Sequence, residues 1–342
     1  MEGTMKCGIY KGIEKVAVEE RPIPQIGPKD VLVKVLRAGI CGSDTGAYLH
    51  GGIYYGVNDD AEFGHEMVAK VVEKGAEVAD DINIDDIVFV EPTKTKPEGL
   101  PVADMCGGFS EYVNVINAVR DVNIYVLEKD INLDEAVLVE PVAVGTQGAV
   151  AVEPKLDEKV VVLGAGTIGL SAAAGLIARG LKNVAVVDRD EQRLAKATEL
   201  GAVAINTTNG NLKDMLIEVF GACPGYEPAP DVDLYVEAAG APALFEECFS
   251  YAREKTRYSV LSVYSRNLNM TGRPFVMNQA MIYGSRGYEP STIKEVIDHI
   301  TNKKTPIGTL VTRKYKHADF AEAIAEAASG RQIKVVIDYE ME

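Results

Sequence analysis

The segment 159–188 constrains the fold of this chain more than any other stretch. It opens with a continuous apolar run, Lys159-Val160-Val161-Val162-Leu163, and passes directly into Gly164-Ala165-Gly166-Thr167-Ile168-Gly169. An Ala-rich helical stretch over 170–179 follows, closed by Gly180, and then a second apolar run, Val184-Ala185-Val186-Val187-Asp188. Strand, glycine-punctuated turn, helix and strand make a βαβ unit, whose two strands lie parallel. The glycines fall where a dinucleotide cradle needs them. Gly164 permits the tight turn, Gly166 lets the backbone approach a pyrophosphate, and Gly169 allows the helix to pack closely on the strand. The free N–H groups at the helix start then face the phosphates. Asp188 ends the second strand about 20 residues on, where a carboxylate accepts the ribose hydroxyls and repels a 2′-phosphate. The expected cofactor is therefore NAD rather than NADP, although the adjacent Arg189 partly tolerates the extra charge. An unrelated glycine-rich turn is the competing reading, and the ordered strand, helix and acid weigh against it.

The alternation continues. Helix 192–200 capped by Gly201, strand 233–237, helix 243–252 and strands 258–263 and 280–284 extend a doubly wound parallel sheet. Helices near 291–301 and 317–329 and a strand over 334–338 close the chain. Residues 1–145 read differently, as short β-branched runs such as Val31-Leu32-Val33-Lys34-Val35 and Ile87-Val88-Phe89-Val90 broken by Gly, Pro and Asp. That pattern predicts a compact β-rich region. The chain is thus expected to be α/β in two domains, each long enough within 342 residues to bury its own core.

Composition excludes several classes. No run approaches the eighteen apolar residues of a membrane span, and the first residues lack a hydrophobic signal segment. Five cysteines, an odd number without framework spacing, fit a cytoplasmic protein better than a secreted one. A formal charge of −16 repels phosphate backbones, so nucleic acid is not an expected partner.

Chemistry concentrates in the β-rich region. Cys41 sits in Gly39-Ile40-Cys41-Gly42-Ser43-Asp44, and His65 and Glu66 follow Gly64. One thiolate, one imidazole and one carboxylate, with no Cys-x-x-Cys pair anywhere, suit a catalytic metal site with an open position better than a closed structural one. Asp44 is close enough in sequence to orient a ligand. Glu140, just before the domain boundary, is a further carboxylate for the site. The dull alternative for isolated cysteines, small buried hydrophobes, is expected to hold for Cys7, Cys223 and Cys248.

These motifs, with Gly107-Gly108-Phe109-Ser110-Glu111-Tyr112 and Glu140-Pro141, run in one order over nearly the full length. In that order they resemble the zinc-dependent medium-chain dehydrogenase/reductase superfamily, in the branch of polyol and threonine dehydrogenases. The resemblance implies a GroES-like catalytic domain over 1–145, a Rossmann domain over 146–287 and a return to the catalytic domain over 288–342, with the active site in the cleft. It implies zinc at Cys41, His65 and Glu66, and Glu140 as a fourth ligand or a partner of zinc-bound water. Ile168, Asp188 and Arg193 would touch the adenosine part of NAD, and Leu261, Val263 and Arg286 would lie along the nicotinamide. A homodimer or homotetramer, often formed through the Rossmann edge strand, is also implied.

Three departures from the family pattern matter. The stretch 91–100 is too short for the lobe that carries a second, structural zinc, and Cys106 alone remains near it, so only the catalytic zinc is expected. A relay histidine two residues after the motif's aspartate is replaced by Gly46. The polyol-contacting aromatic and arginine are replaced by Ala47 and Gly287, which would leave room for a bulkier or less polar alcohol.

The expected reaction interconverts a secondary alcohol and a ketone by hydride transfer to nicotinamide C4. Ser43 would take the alcohol proton, with water or His50 as the outer relay. A zinc-free quinone or enone reductase and a non-catalytic nucleotide-binding protein of the same fold are the alternatives.

Overall fold

The structure is a computed structural model describing residues 1–95, 107–223, 228–264 and 266–341. The chain divides into two compact units, one of 1–140 with 311–342 and the other of 141–310.

In the first unit β1 (Thr4–Tyr10) and β2 (Val16–Pro22) form an antiparallel hairpin. The main sheet is organised on β3 (Val31–Gly39), which is buried at every position except Lys34. It pairs antiparallel with β4 (Glu66–Lys74), β6 (Tyr112–Val115) and β17 (Lys334–Asp338). The sheet is widened by β5 (Ile87–Val90) and β7 (Ile124–Val126) on the β4 side and by β16 (Val311–Lys316) beyond β17. The mostly apolar sequence of β3, interrupted by Lys34 and Arg37, follows from cover on both faces. Val31, Val33 and Val35 enter the main core, while Leu32 meets Met5, Cys7, Ile9 and Ile23. Phe63, Phe109 and Phe320 pack with ring centroids 4.9 to 5.9 Å apart at the centre of that main core. The first helix, α1 (Gly42–His50), leaves the end of β3.

The second unit is a parallel sheet in the order β10 (Val203–Asn206), β9 (Asn183–Asp188), β8 (Lys159–Leu163), β13 (Leu234–Glu237), β14 (Arg257–Val260), β15 (Met281–Gly284). The chain starts centrally at β8, winds outward to β10, then crosses to β13 and winds the other way, the doubly wound order expected of a dinucleotide-binding sheet. A two-residue ladder joins β11 (Ala222–Cys223) to β12 (Ala229–Pro230). The helix Thr167–Ala178 connects β8 to β9, and Gly180 beyond it has φ +98°. The helix Glu191–Leu200 ends on Gly201 in the left-handed conformation.

The structure departs from the sequence reading in three places. The strand predicted over 258–263 stops at Val260, because its neighbours β13 and β15 end level with it at Glu237 and Gly284. The strand β10 and the helix Leu212–Phe220 are additional to the predicted elements: β10 is four residues long and buries only Ile205. The second domain boundary lies at 310 rather than 287. The helix Pro290–Thr301 belongs to the nucleotide-type unit, where Glu295 pairs with Arg179 and Thr292 Oγ1 donates to Gln147 at 2.6 Å. Of the three isolated cysteines, Cys7 and Cys248 are buried, whereas Cys223 is half-buried with Sγ 3.0 Å from Asp231 Oδ1. Most of the stretch whose shortness predicts the loss of a structural zinc, and Cys106 with it, lies outside the described residues. Among the described residues no helix is long and apolar enough to cross a membrane.

Candidate metal centre and nucleotide cradle

Strand pairing brings the metal candidates together. Gly39, the last residue of β3, is paired with Glu66, the first of β4, so Cys41 leaving one strand lies beside His65 entering the other. Two glycines make the approach sterically feasible. A Cβ at Gly39 would overlap Glu66 Oε2, and Gly64 turns at φ +90° under the ring of Phe109. The ligand atoms of Cys41, His65 and Glu66 all lie within 4.8 Å of one another. Glu140 does not share that distance to all three, although it is buried and interacts electrostatically with His65, Glu66 and Lys334.

Asp44 lies fully buried behind the ligands. Its Oδ2 accepts from the Cys41 backbone N–H at 2.8 Å, fixing the start of α1, and Oδ1 faces His65 Nδ1 at 3.7 Å. Neither Oδ1 nor Nδ1 has a hydrogen-bond partner. Asp44 thus faces one imidazole nitrogen without a hydrogen bond to it; around ligating histidines a carboxylate commonly takes that place. Burial pushes the Asp44 carboxyl up to about 6 against the opposing pull of His65. Burial likewise pushes Glu140 up to about 7, with His65 opposing and Glu66 adding to the rise. Burial works against a charged His65 imidazole, yet the facing Asp44 and then Cys41 hold its pKa well above the usual value. Such crowding of acids in a buried space is what a divalent cation relieves. One sulfur, one nitrogen and one oxygen donor within 4.8 Å of one another fit zinc.

The sequence reading missed Lys334. This lysine heads β17 with 3% exposure, and its ammonium donates to Glu66 Oε1 at 2.8 Å, Glu66 Oε2 at 2.6 Å and the Ile40 carbonyl at 3.0 Å. The only signal in the sequence is a lone lysine before Val-Val-Ile in the last strand. Ala47 is fully buried in the main core, and the ring of Tyr55 lies against Gly46.

In the second unit Gly164 and Gly169 meet the steric conditions their spacing predicts. Gly164 has φ +98°, and a Cβ there would press on Ala239. A Cβ on Gly169 would overlap the Gly164 carbonyl oxygen, so helix and turn pack at a distance only glycine allows. Gly166 caps the helix Thr167–Ala178 with open space before it. The turn borders a pocket of about 720 Å³ lined by Gly164, Gly166, Asp188, Arg189 and Arg193, among others. Asp188 accepts from the N–H groups of Ala165, Arg189 and Asp190 at 2.6, 2.7 and 3.0 Å, which fixes its carboxylate at the rim. Thr167 and Ile168 are half-buried in the first turn of the helix. Leu261, Val263 and Arg286 do not line this pocket: Leu261 packs over Gly148, and Val263 and Arg286 are exposed. Thr207 and Asn211, which do line it, follow the additional strand β10.

A dinucleotide cradle and a buried zinc-type ligand set, each on its own unit, are the two working parts of a nucleotide-dependent metalloenzyme. Comparison with known proteins agrees. Residues 27–122 match the alcohol dehydrogenase GroES-like domain and residues 167–302 the zinc-binding dehydrogenase family. The L-threonine 3-dehydrogenase of Streptomyces avermitilis is 29% identical over 346 residues, spanning 93% of this chain and 94% of its own. The sorbitol dehydrogenase of Bacillus subtilis is 27% identical, spanning 94% and 93%. The crystal structure of 2R,3R-butanediol dehydrogenase from Bacillus subtilis superposes with a TM-score of 0.86 at 24% identity, covering 98% and 99% of the two chains. The chain belongs to the zinc-type medium-chain dehydrogenases, in the branch of the polyol and threonine dehydrogenases.

Proposed function

We propose that this alcohol dehydrogenase-type oxidoreductase interconverts a secondary alcohol and a ketone, using one catalytic zinc per chain and NAD. The convergence of Cys41, His65 and Glu66 within 4.8 Å, in a chain that also builds a dinucleotide cradle, carries this reading. Cys41, His65 and Glu66 would hold the metal, with Glu140 as a fourth ligand or a partner of metal-bound water. Zinc supplies Lewis-acid polarisation of the substrate oxygen, and NAD supplies the hydride acceptor. The chain's own residues do the rest. Asp44 fixes the His65 ring, Lys334 fixes the Glu66 carboxylate, and Ser43 in the first turn of α1 takes the proton of the alcohol. The named relatives act on threonine, sorbitol and butanediol, all of which carry a secondary alcohol.

Purified protein is expected to contain about one zinc per chain and to reduce NAD with at least one of butane-2,3-diol, sorbitol, L-threonine, propan-2-ol and cyclohexanol. Metal-free protein that reduces enones would make it a zinc-free reductase. Protein that binds zinc and NAD but turns over none of the panel would make it a nucleotide-binding relative.

Asp188 sets the cofactor. Asp188→Ser is expected to weaken NAD binding about ten- to a hundredfold, the effect of losing a charged hydrogen-bond acceptor worth about 1.5–3 kcal/mol. It should strengthen NADP binding, since Arg189 and Arg193 remain in the lining. Titration calorimetry with both nucleotides reads this directly, and a wild type preferring NADP would refute the assignment. The exposed Met281 and Tyr283 of β15, with Phe275, Val276 and Met277 nearby in sequence, suit burial in a homodimer or homotetramer. Cysteines free of disulfides among the described residues suit the cytoplasm.

A further inference from the structure

Gly46 stands where the family pattern places a relay histidine, and the ring of Tyr55 lies against it. A Cβ at Gly46 would overlap Cε1 and Cζ of Tyr55 and stand 2.8 Å from its hydroxyl oxygen. The phenol tip therefore rests on the backbone of α1 at a point only glycine leaves open. Ser43 and Gly46 are three residues apart on that helix and so share a face, with side-chain positions about 5–6 Å apart. The Tyr55 hydroxyl is thus placed against the same face of α1 that carries Ser43.

Tyr55 is held there. It ends a three-ten turn, Gly52–Tyr55, that follows α1 directly. The buried Tyr10 hydroxyl donates to the Ala47 carbonyl at 3.0 Å and accepts from the Gly52 N–H at 2.9 Å, tying the turn to the helix. A Cβ at Gly52 would overlap the Val57 carbonyl oxygen, which closes the same turn from the other side. The Tyr55 ring packs partly against the main core, and its hydroxyl engages no other described side chain. His50, the other candidate for the outer relay, is the exposed last residue of α1. It lies about 10 Å from Ser43 along the helix at 1.5 Å per residue, beyond direct reach.

We propose that Tyr55 is the outer proton-relay residue of this enzyme, standing in for the histidine that Gly46 displaces. The inference rests on the reading of Ser43 as first proton acceptor. During oxidation the alcohol O–H bond breaks and its proton goes to the Ser43 oxygen. The proton of Ser43 passes through water to the Tyr55 oxygen, and the phenolic proton leaves to solvent. NAD, when bound, would supply the acceptor for the carbinol hydride, so that one ketone, one NADH and one proton would balance the step. Tyr55 is a positioning residue, acting through Ser43 rather than on the substrate.

The test uses the zinc-loaded enzyme and the best alcohol of the panel above. Tyr55→Phe is expected to lower kcat about 10- to 100-fold, the low end for a positioned proton-transfer group, with KM and zinc content unchanged. The solvent deuterium isotope effect should rise, and 1,2-dimethylimidazole, a hindered metal ligand but a competent proton carrier, should restore part of the loss. Gly46→Ala, which pushes the ring away, should behave like Tyr55→Phe. In 3-fluorotyrosine-labelled protein, the ¹⁹F resonance missing from Tyr55→Phe should shift when alcohol joins the NAD complex. Ser43→Ala separates the two layers of inference. If Ser43→Ala loses turnover while Tyr55→Phe stays within twofold and shows no rescue, the relay assignment is overturned and the proposed function stands. If Ser43→Ala retains full turnover, the reading of Ser43 falls and the relay falls with it.

Discussion

Cys41→Ala is expected to purify without stoichiometric zinc and to lose turnover by at least about a thousandfold. A metal acting as Lewis acid contributes several kcal/mol to barrier lowering, and about 1.4 kcal/mol is worth a factor of ten. The fold should survive. Cys41 caps α1 through its backbone N–H, which bonds to Asp44 Oδ2, and that bond does not need the thiol. Elemental analysis, kcat and thermal melting together decide the matter. In wild type, chelation should lower the melting temperature, because zinc binds the folded state far better than the unfolded one. In Cys41→Ala, chelation should change nothing. A metal-free Cys41→Ala enzyme with undiminished turnover would end the zinc reading, whatever its stability.

The parts of this protein that are legible in the sequence are those whose physics is local or carried by one strand pair. Gly164 and Gly169 act within six residues, and both meet the steric condition their spacing implies, down to the overlap a Cβ on Gly169 would make with the Gly164 carbonyl. Cys41 and His65 are 24 positions apart, yet a single antiparallel register between β3 and β4 makes them neighbours. Their flanking glycines, Gly39 and Gly64, mark that close approach in the sequence itself. What is not legible depends on distant chain or on the path of a turn. Lys334 reaches Glu66 across 268 residues, and nothing local marks one lysine among the 35 basic residues as buried. Ala47 suggests an enlarged pocket, but small residues on a helix serve equally to let it pack, and Ala47 is wholly in the core. Gly46 suggests a missing relay. Only the conformation of the turn Gly52–Tyr55 shows a phenol lying against it.

Lys334→Met tests the other buried contact of the metal centre. Both partners are within the interior, Lys334 at 3% and Glu66 at 1% exposure, and the lysine carries both carboxylate oxygens. Burial opposes a charged lysine, but Glu66 and then Cys41 more than offset it and hold the ammonium pKa above its usual value. Methionine fills similar space and supplies no charge, leaving Glu66 buried beside Glu140 and Asp44 without its cation. Removing one partner of a buried pair costs about 3–5 kcal/mol, so the zinc-free protein should be severely destabilised in urea. Zinc changes the outcome, because a divalent cation at the same carboxylate replaces the missing positive charge. The loss should therefore be much smaller in the zinc-loaded protein. By linkage that difference must reappear as tighter zinc binding in Lys334→Met, about 5- to 150-fold for a coupling of 1–3 kcal/mol. Equal destabilisation with and without zinc would reduce Lys334 to a packing residue. The paired variant Glu66→Gln with Lys334→Met removes both charges together. It should recover most of the apo stability, since exchanging a whole buried pair for neutral groups is close to neutral, and it should bind zinc weakly because the proposed third ligand is gone.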